Sequence, residues 1–147
     1  MITSEITLIY SNILIYAHQS LSMFYEPAKA LRDKGMDGEI MLCVCPQVLM
    51  EFYAVITNPK RVTNPFEPRE AMSEVEKYLR TERIVKIYPG EDLVFRMIEL
   101  FRKYEVRRYE IFDLQIVATM LSNGIKRLYT YNQEHFDRFT EVEVLIP

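Results

Sequence analysis

The chain has 147 residues, 49% of them hydrophobic and 27% charged, with a formal net charge of −3. That length holds one domain, enough to bury about two-thirds of its unfolded surface. No apolar run approaches the roughly 20 residues that span a bilayer, and the negative balance excludes a broad, sequence-independent grip on nucleic acid. Local basic pairs, Lys60-Arg61, Arg107-Arg108 and Lys126-Arg127, remain as places to hold phosphates.

The N-terminal run over residues 1–17 has no basic leader and is interrupted by Glu5, Ser11 and Asn12. It is read as no signal peptide, and the protein as cytoplasmic. A first strand is expected over residues 6–10, ending at Ser11-Asn12, with a short helical turn over 13–18. Phe24, Ala28 and Leu31 then recur at helical spacing, Pro27 suits a first turn and Gly35 supplies the stop. A second strand covers residues 39–45. Its Cys43 and Cys45 are read as facing opposite ways and hence as two buried, reduced thiols.

Pro46 opens a third helix that runs to about Thr57 and closes at Asn58-Pro59. Val48, Phe52, Val55 and Ile56 form its apolar arc, and at about 100° per residue Glu51 falls on the border. No Lys or Arg lies one helical turn from Glu51. Taken alone, it reads as a carboxylate snorkelling from the core's edge. After an exposed, proline-rich loop over 59–68, Pro68 leads a fourth helix with Ala71, Met72, Val75, Tyr78 and Leu79 inward. A third strand over 84–88 stops at Pro89-Gly90. Asp92 is a candidate cap for a fifth helix that buries Leu93, Met97, Ile98, Leu100, Phe101 and Tyr104.

Residues 109–136 organise the rest. Asp113 stands at the start of an almost wholly apolar helix that Gly124 stops, and a β-prone run over 127–131 leads into Thr130, Asn132 and Glu134. Helix and strand together are half of a β-α-β crossover. A last edge strand is expected over 141–146. Alternating strands and helices predict an α/β, three-layer sandwich with a mostly parallel central sheet flanked by helices.

Ligands of such sheets bind beyond the carboxyl ends of the strands. There the strand ends at residues 10–12 and 130–132 open on one edge, and Glu51 and Asp113 can converge on it from the helices that begin there. Two carboxylates with amide oxygens, and no Cys or His pair at zinc spacing, favour a hard cation, Mg²⁺ or Mn²⁺. Such an ion activates water and neutralises charge building on a phosphodiester. Blander roles stand beside these: Asp113 equally as a helix N-cap, and Asn132 as the shaper of a turn. Ser11, Asn12 and Thr130 read as hydrogen-bonding supports rather than ligands, and His18 and His135 as packing or surface residues. No Ser or Cys lies in an activating motif, so a covalent hydrolase is not expected.

At these residues the chain resembles the PIN domain, and within it the VapC-type toxins. The first family motif, Asp-Thr/Ser-Asn-Val/Ile-Leu-Ile-Tyr-Ala, is matched by residues 10–17, Tyr-Ser-Asn-Ile-Leu-Ile-Tyr-Ala. The lone helical Glu is matched by Glu51 and the Phe-Asp that opens a buried helix by Phe112-Asp113. Thr130, Asn132, His135 and Phe136 match the last motif, Thr-x-Asp/Asn-x-x-Asp/His-Phe. The resemblance implies a metal-dependent endoribonuclease that cuts structured RNA, is restrained by a small antitoxin, forms a homodimer and needs no membrane. It also implies catalytic roles for Glu51, Asp113 and Asn132, with metal held by Asp113 and Glu51.

One position departs from the pattern: Tyr10 stands where the family has its first metal-binding Asp. A phenol with an ordinary pKa of about 10 is neutral at pH 7, is a poor Mg²⁺ ligand and needs more room than a carboxylate. Tyr10 is either natural or an inactivating substitution. In both cases the implied enzyme is weakened or inactive, and the alternative is a PIN-like module that binds antitoxin or RNA without cutting.

Overall fold

Five short parallel strands run through the middle of the protein in the order β3-β2-β1-β4-β5. The computed structural model describes residues 6–147. The reading of the N-terminal run as no leader falls partly on residues 1–5, outside the described residues. The strands are β1 (Thr7–Ile9), β2 (Leu42–Val44), β3 (Val85–Lys86), β4 (Arg127–Tyr129) and β5 (Glu143–Leu145). Leu8 lies between Cys43 of β2 and Leu128 of β4, all fully buried, so the central strands are apolar on both faces, as a sheet covered on two sides requires.

The helices are α1 (Ser11–Ala17), α2 (Tyr25–Met36), α3 (Pro46–Ile56), α4 (Pro68–Arg80), α5 (Leu93–Lys103), α6 (Glu110–Ser122) and α7 (Gln133–Phe136). α1 packs on α2 and α3, and α3 on α4, while α5 packs on α6 and α6 on α7. The chain winds from β1 to β3 in one direction, then returns past β1 to form β4 and β5. The reversal falls between β1 and β4, and a topological switch point of this kind opens a crevice at the strands' carboxyl ends. No helix among the described residues is long and apolar enough to cross a membrane.

Several local expectations are corrected. Gly35 does not stop α2 but lies inside it, buried, where an added Cβ would come within 2.5 Å of Leu42 Cδ1. The turn is made instead by Gly38, at φ 77°. Gly35→Ala is therefore expected to cost about 1–2 kcal/mol despite alanine's better helix propensity, read as a lower urea midpoint at unchanged m. Cys45 lies past β2 as the residue preceding α3, and residues two apart on extended chain share a face, so the opposite-face reading fails. Both thiols are nonetheless buried and free. Asp92 does precede α5, but its carboxylate pairs with Arg96 at 2.9 Å instead of capping the backbone.

On α4, Ala71, Val75 and Tyr78 are buried while Met72 and Leu79 are about half exposed. On α5 only Leu100 is buried; Leu93, Met97 and Tyr104 pack against the core, whereas Ile98 and Phe101 join Val94 and Phe95 on an exposed flank. Apolar residues occupy more of this helix's circumference than its packing partner α6 covers.

His18 follows α1 and is enclosed by the rings of Phe52, Phe66 and Tyr78. Its Nδ1 lies 2.8 Å from the Leu14 carbonyl, and Glu74 and the Tyr78 hydroxyl approach Nε2 at 3.3 and 3.4 Å. Burial lowers its pKa, outweighing the opposite pull of the Leu14 carbonyl and Glu74. The unfolded chain thus takes up this proton first. Stability is expected to fall as the pH drops below about 6.5, and His18→Gln to flatten that part of a urea-midpoint profile.

Candidate active site

Four helices begin near the carboxyl edge of the sheet, and each delivers part of one cleft. Tyr10 joins β1 to α1, its extended backbone leading directly into the helix. Pro46 suits the first turn of α3, which carries Glu51 inward along the border of its buried face. The residue preceding α6 is Tyr109, not Asp113; Asp113 lies at the fourth helical position, buried, and the N-cap reading is thereby removed. Thr130 follows β4 directly, and Asn132 directly precedes α7. The cleft, about 700 Å³, is lined by Tyr10, Glu51, Asp113, Asn132 and His135 together with residues from the loop before α6.

Ser11, Asn12 and Thr130 are tied into one hydrogen-bonded set with Glu51 and the turn before α7. Ser11 Oγ donates to Glu51 Oε2 at 3.2 Å. Asn12 Nδ2 donates to Thr130 Oγ1 at 3.2 Å, and Asn12 Oδ1 accepts from the Tyr131 N–H at 3.4 Å. Thr130 Oγ1 also accepts the Asn132 N–H at 3.0 Å. This buried bridge between the ends of β1 and β4 fixes the turn that presents Asn132. Sequence reasoning missed Gln47, whose Nε2 donates to Glu51 Oε1 at 3.1 Å and to the Phe112 carbonyl at 3.0 Å. The signal was its position one turn before Glu51, where an amide takes the part that a basic partner would. His135, read from the sequence as a packing or surface residue, lines the cleft with its Nδ1 3.4 Å from Asp113 Oδ2.

Tyr10 faces both carboxylates. Its hydroxyl donates to Asp113 Oδ1 over a long 3.5 Å, and its ring meets the edge of Phe136 at 5.2 Å. Burial, with the charges of Glu51 and Asp113 adding to it, holds the phenol above its usual pKa, so it is a neutral donor. Burial likewise pushes the Asp113 carboxyl up; His135 opposes the rise and Glu51 adds to it. Glu51 and Asp113 are the two carboxylates lining this cleft, with Asn132 beside them. Among the described residues no three His, Cys, Asp or Glu side chains gather as a metal-binding set.

The PIN domain family model matches residues 8–142. Ribonuclease VapC24 of Mycobacterium tuberculosis is 29% identical over 129 residues, 88% of each chain. The crystal structure of VapC20 from the same species, described as a Sarcin-Ricin loop cleaving toxin, superposes with a TM-score of 0.67 at 16% identity, covering 93% of this chain and 98% of that one. VapBC2 from Rickettsia felis, bound to a promoter DNA fragment, gives 0.64 at 17% identity over 97% and 98%. At such identities the solved structures bear on the fold, and the α/β sandwich expected from the sequence is theirs. With the family model spanning nearly all of the sheet and its helices, this chain belongs to the PIN domain family.

Proposed function

We propose that this chain is a VapC-type toxin ribonuclease, acting on structured RNA in the cytoplasm as a homodimer restrained by a small antitoxin, with Tyr10 holding its activity low. The convergence of Glu51 and Asp113 in one cleft at the sheet's switch point carries the reading. The names of the relatives support it: VapC24 is a ribonuclease and VapC20 a toxin that cleaves the Sarcin-Ricin loop. In this reading Glu51, Asp113 and Asn132 are the catalytic residues, Asp113 and Glu51 hold Mg²⁺ or Mn²⁺, and Ser11, Asn12 and Thr130 keep them in place.

As they stand, the residues do not fit that ion. A neutral phenol occupies the position where the resemblance calls for a third carboxylate, and its hydroxyl turns toward Asp113 as a donor, the opposite of what a cation's neighbour should be. What this chain's own residues do is hold the cleft in shape. Ser11 and Gln47 each take one oxygen of Glu51, which fixes the carboxylate's plane. His135 sets its Nδ1 3.4 Å from Asp113 Oδ2.

The test is cleavage of structured RNA by Tyr10→Asp protein with Mn²⁺ or Mg²⁺, with chelator, and with Asp113→Asn added. Cleavage that needs the metal and Asp113 supports the assignment. RNA left intact by Tyr10→Asp protein under all these conditions, with the fold retained, refutes it.

A further inference from the structure

The rim of the cleft carries a feature that the carboxylates do not use. Arg107, Arg108 and Tyr109 precede α6, and all three are exposed, Tyr109 by 82%. Its ring lies nearly parallel to that of Phe112, 17° apart with centroids at 6.3 Å. Two aromatic rings stacked on each other and left open to water are unusual in a surface turn, where a single apolar ring would ordinarily fold down onto the protein.

The two arginines are equally uncommitted. Neither guanidinium joins an ion pair among the described residues, whereas the nearby Glu110 is engaged by Arg138 at 3.0 Å and by the Arg107 backbone N–H at 2.7 Å. Among the described residues Arg108 is the one non-glycine residue at positive φ, 51°, so the fold holds a conformation there that L side chains avoid. The platform is also coupled to the carboxylates, because the Gln47 amide that fixes Glu51 donates to the Phe112 carbonyl.

We propose that Tyr109 and Phe112 form a stacking platform for an unpaired RNA base beside the phosphate that the cleft receives, with Arg107 and Arg108 binding phosphate oxygens of the same strand. This rests on the ribonuclease reading above. Aromatic faces take up any base that is free of its helix, and guanidinium groups match phosphate in a two-pronged contact. The acidic cleft repels RNA, so local arginines at its mouth supply the attraction that the net charge does not. The substrate class follows: a loop or bulge with an unstacked base, since a base inside a duplex cannot reach a ring on the protein surface. Arginines alone would also suit an acidic peptide; the parallel rings favour a base.

The full chain, in chelator so that nothing is cut, is titrated against a labelled hairpin with an unpaired loop and against a fully paired duplex of equal length. The hairpin is expected to bind at least about tenfold tighter. Tyr109→Ala is expected to lose about tenfold of that affinity and Tyr109→Phe to keep it. Arg107→Ala and Arg108→Ala should each weaken binding and make its logarithmic salt dependence shallower by about one. An unchanged melting temperature shows that each variant is folded.

Equal hairpin affinity for the native chain and Tyr109→Ala overturns the platform and leaves the ribonuclease reading standing. Failure of the native chain to bind either RNA removes that reading, and the platform with it. Variants that keep their RNA affinity but lose capture of a co-expressed antitoxin overturn the platform in favour of a peptide site.

Discussion

Tyr10→Asp is expected to raise divalent-metal-dependent cleavage of structured RNA by at least about a hundredfold, a change of roughly 2.7 kcal/mol in the barrier. The phenol is a neutral donor that spends its hydrogen on Asp113, so the native cleft offers a cation two carboxylates, both already engaged, Asp113 by Tyr10 and His135 and Glu51 by Ser11 and Gln47. An aspartate would shorten the side chain, empty the space of the ring and set a third negative charge against Glu51 and Asp113. Without metal those charges repel, and the variant should melt below the native chain. With metal at about a hundred times its dissociation constant the variant should regain about 2.7 kcal/mol, or roughly 8 °C in melting temperature. The native chain should shift little. Tyr10→Asn, which frees the space without adding charge, should show neither the cleavage nor the thermal shift, and this separates charge from room. Equal, metal-dependent cleavage by the native and Tyr10→Asp chains would show that Tyr10 does not hold the activity low.

Much of this cleft is legible without coordinates, and the reasons are local. The Ser11-Asn12 break after a β-branched run, Pro46 before an amphipathic stretch and Gly124 after an apolar one each mark an element boundary by backbone chemistry, and the structure has boundaries there. Parallel topology then forces strand ends and helix beginnings onto one edge, which is enough to bring Glu51, Asp113 and Asn132 around one cleft. What depends on contact rather than on pattern is less legible. Gly35 looks like a helix stop because glycine often is one; only the approach of Leu42 shows that it is there to be small. The outer flank of α5 has the same composition as its inner stripe, so periodicity cannot tell which apolar residues a neighbour will cover. Gln47 also reaches the Phe112 carbonyl of α6, and His135 the Asp113 carboxylate, contacts between different elements that no local spacing encodes.

Phe136→Ala is expected to cost about 3–5 kcal/mol, against a total of roughly 5–15 for a domain of this size, and so to lower the melting temperature by about 10 °C. Phe136 is fully buried; its ring meets Tyr10 at 5.2 Å and Phe139 at 6.4 Å. It is the buried residue of α7, a helix of four residues that backbone hydrogen bonds alone cannot hold in place. The same short helix carries His135 and follows Asn132, so the position of two cleft residues depends on the seating of one ring. Phe136→Leu, which keeps most of the volume, should cost about 1–1.5 kcal/mol and hold α7 in place. Measured in the Tyr10→Asp background, Phe136→Ala should therefore lower RNA cleavage by more than its loss of folded protein accounts for, while Phe136→Leu should lower it only in proportion. If both variants lose activity strictly in step with their folded fraction from urea titrations, α7 is held by contacts other than Phe136, and the link from core packing to the cleft is broken.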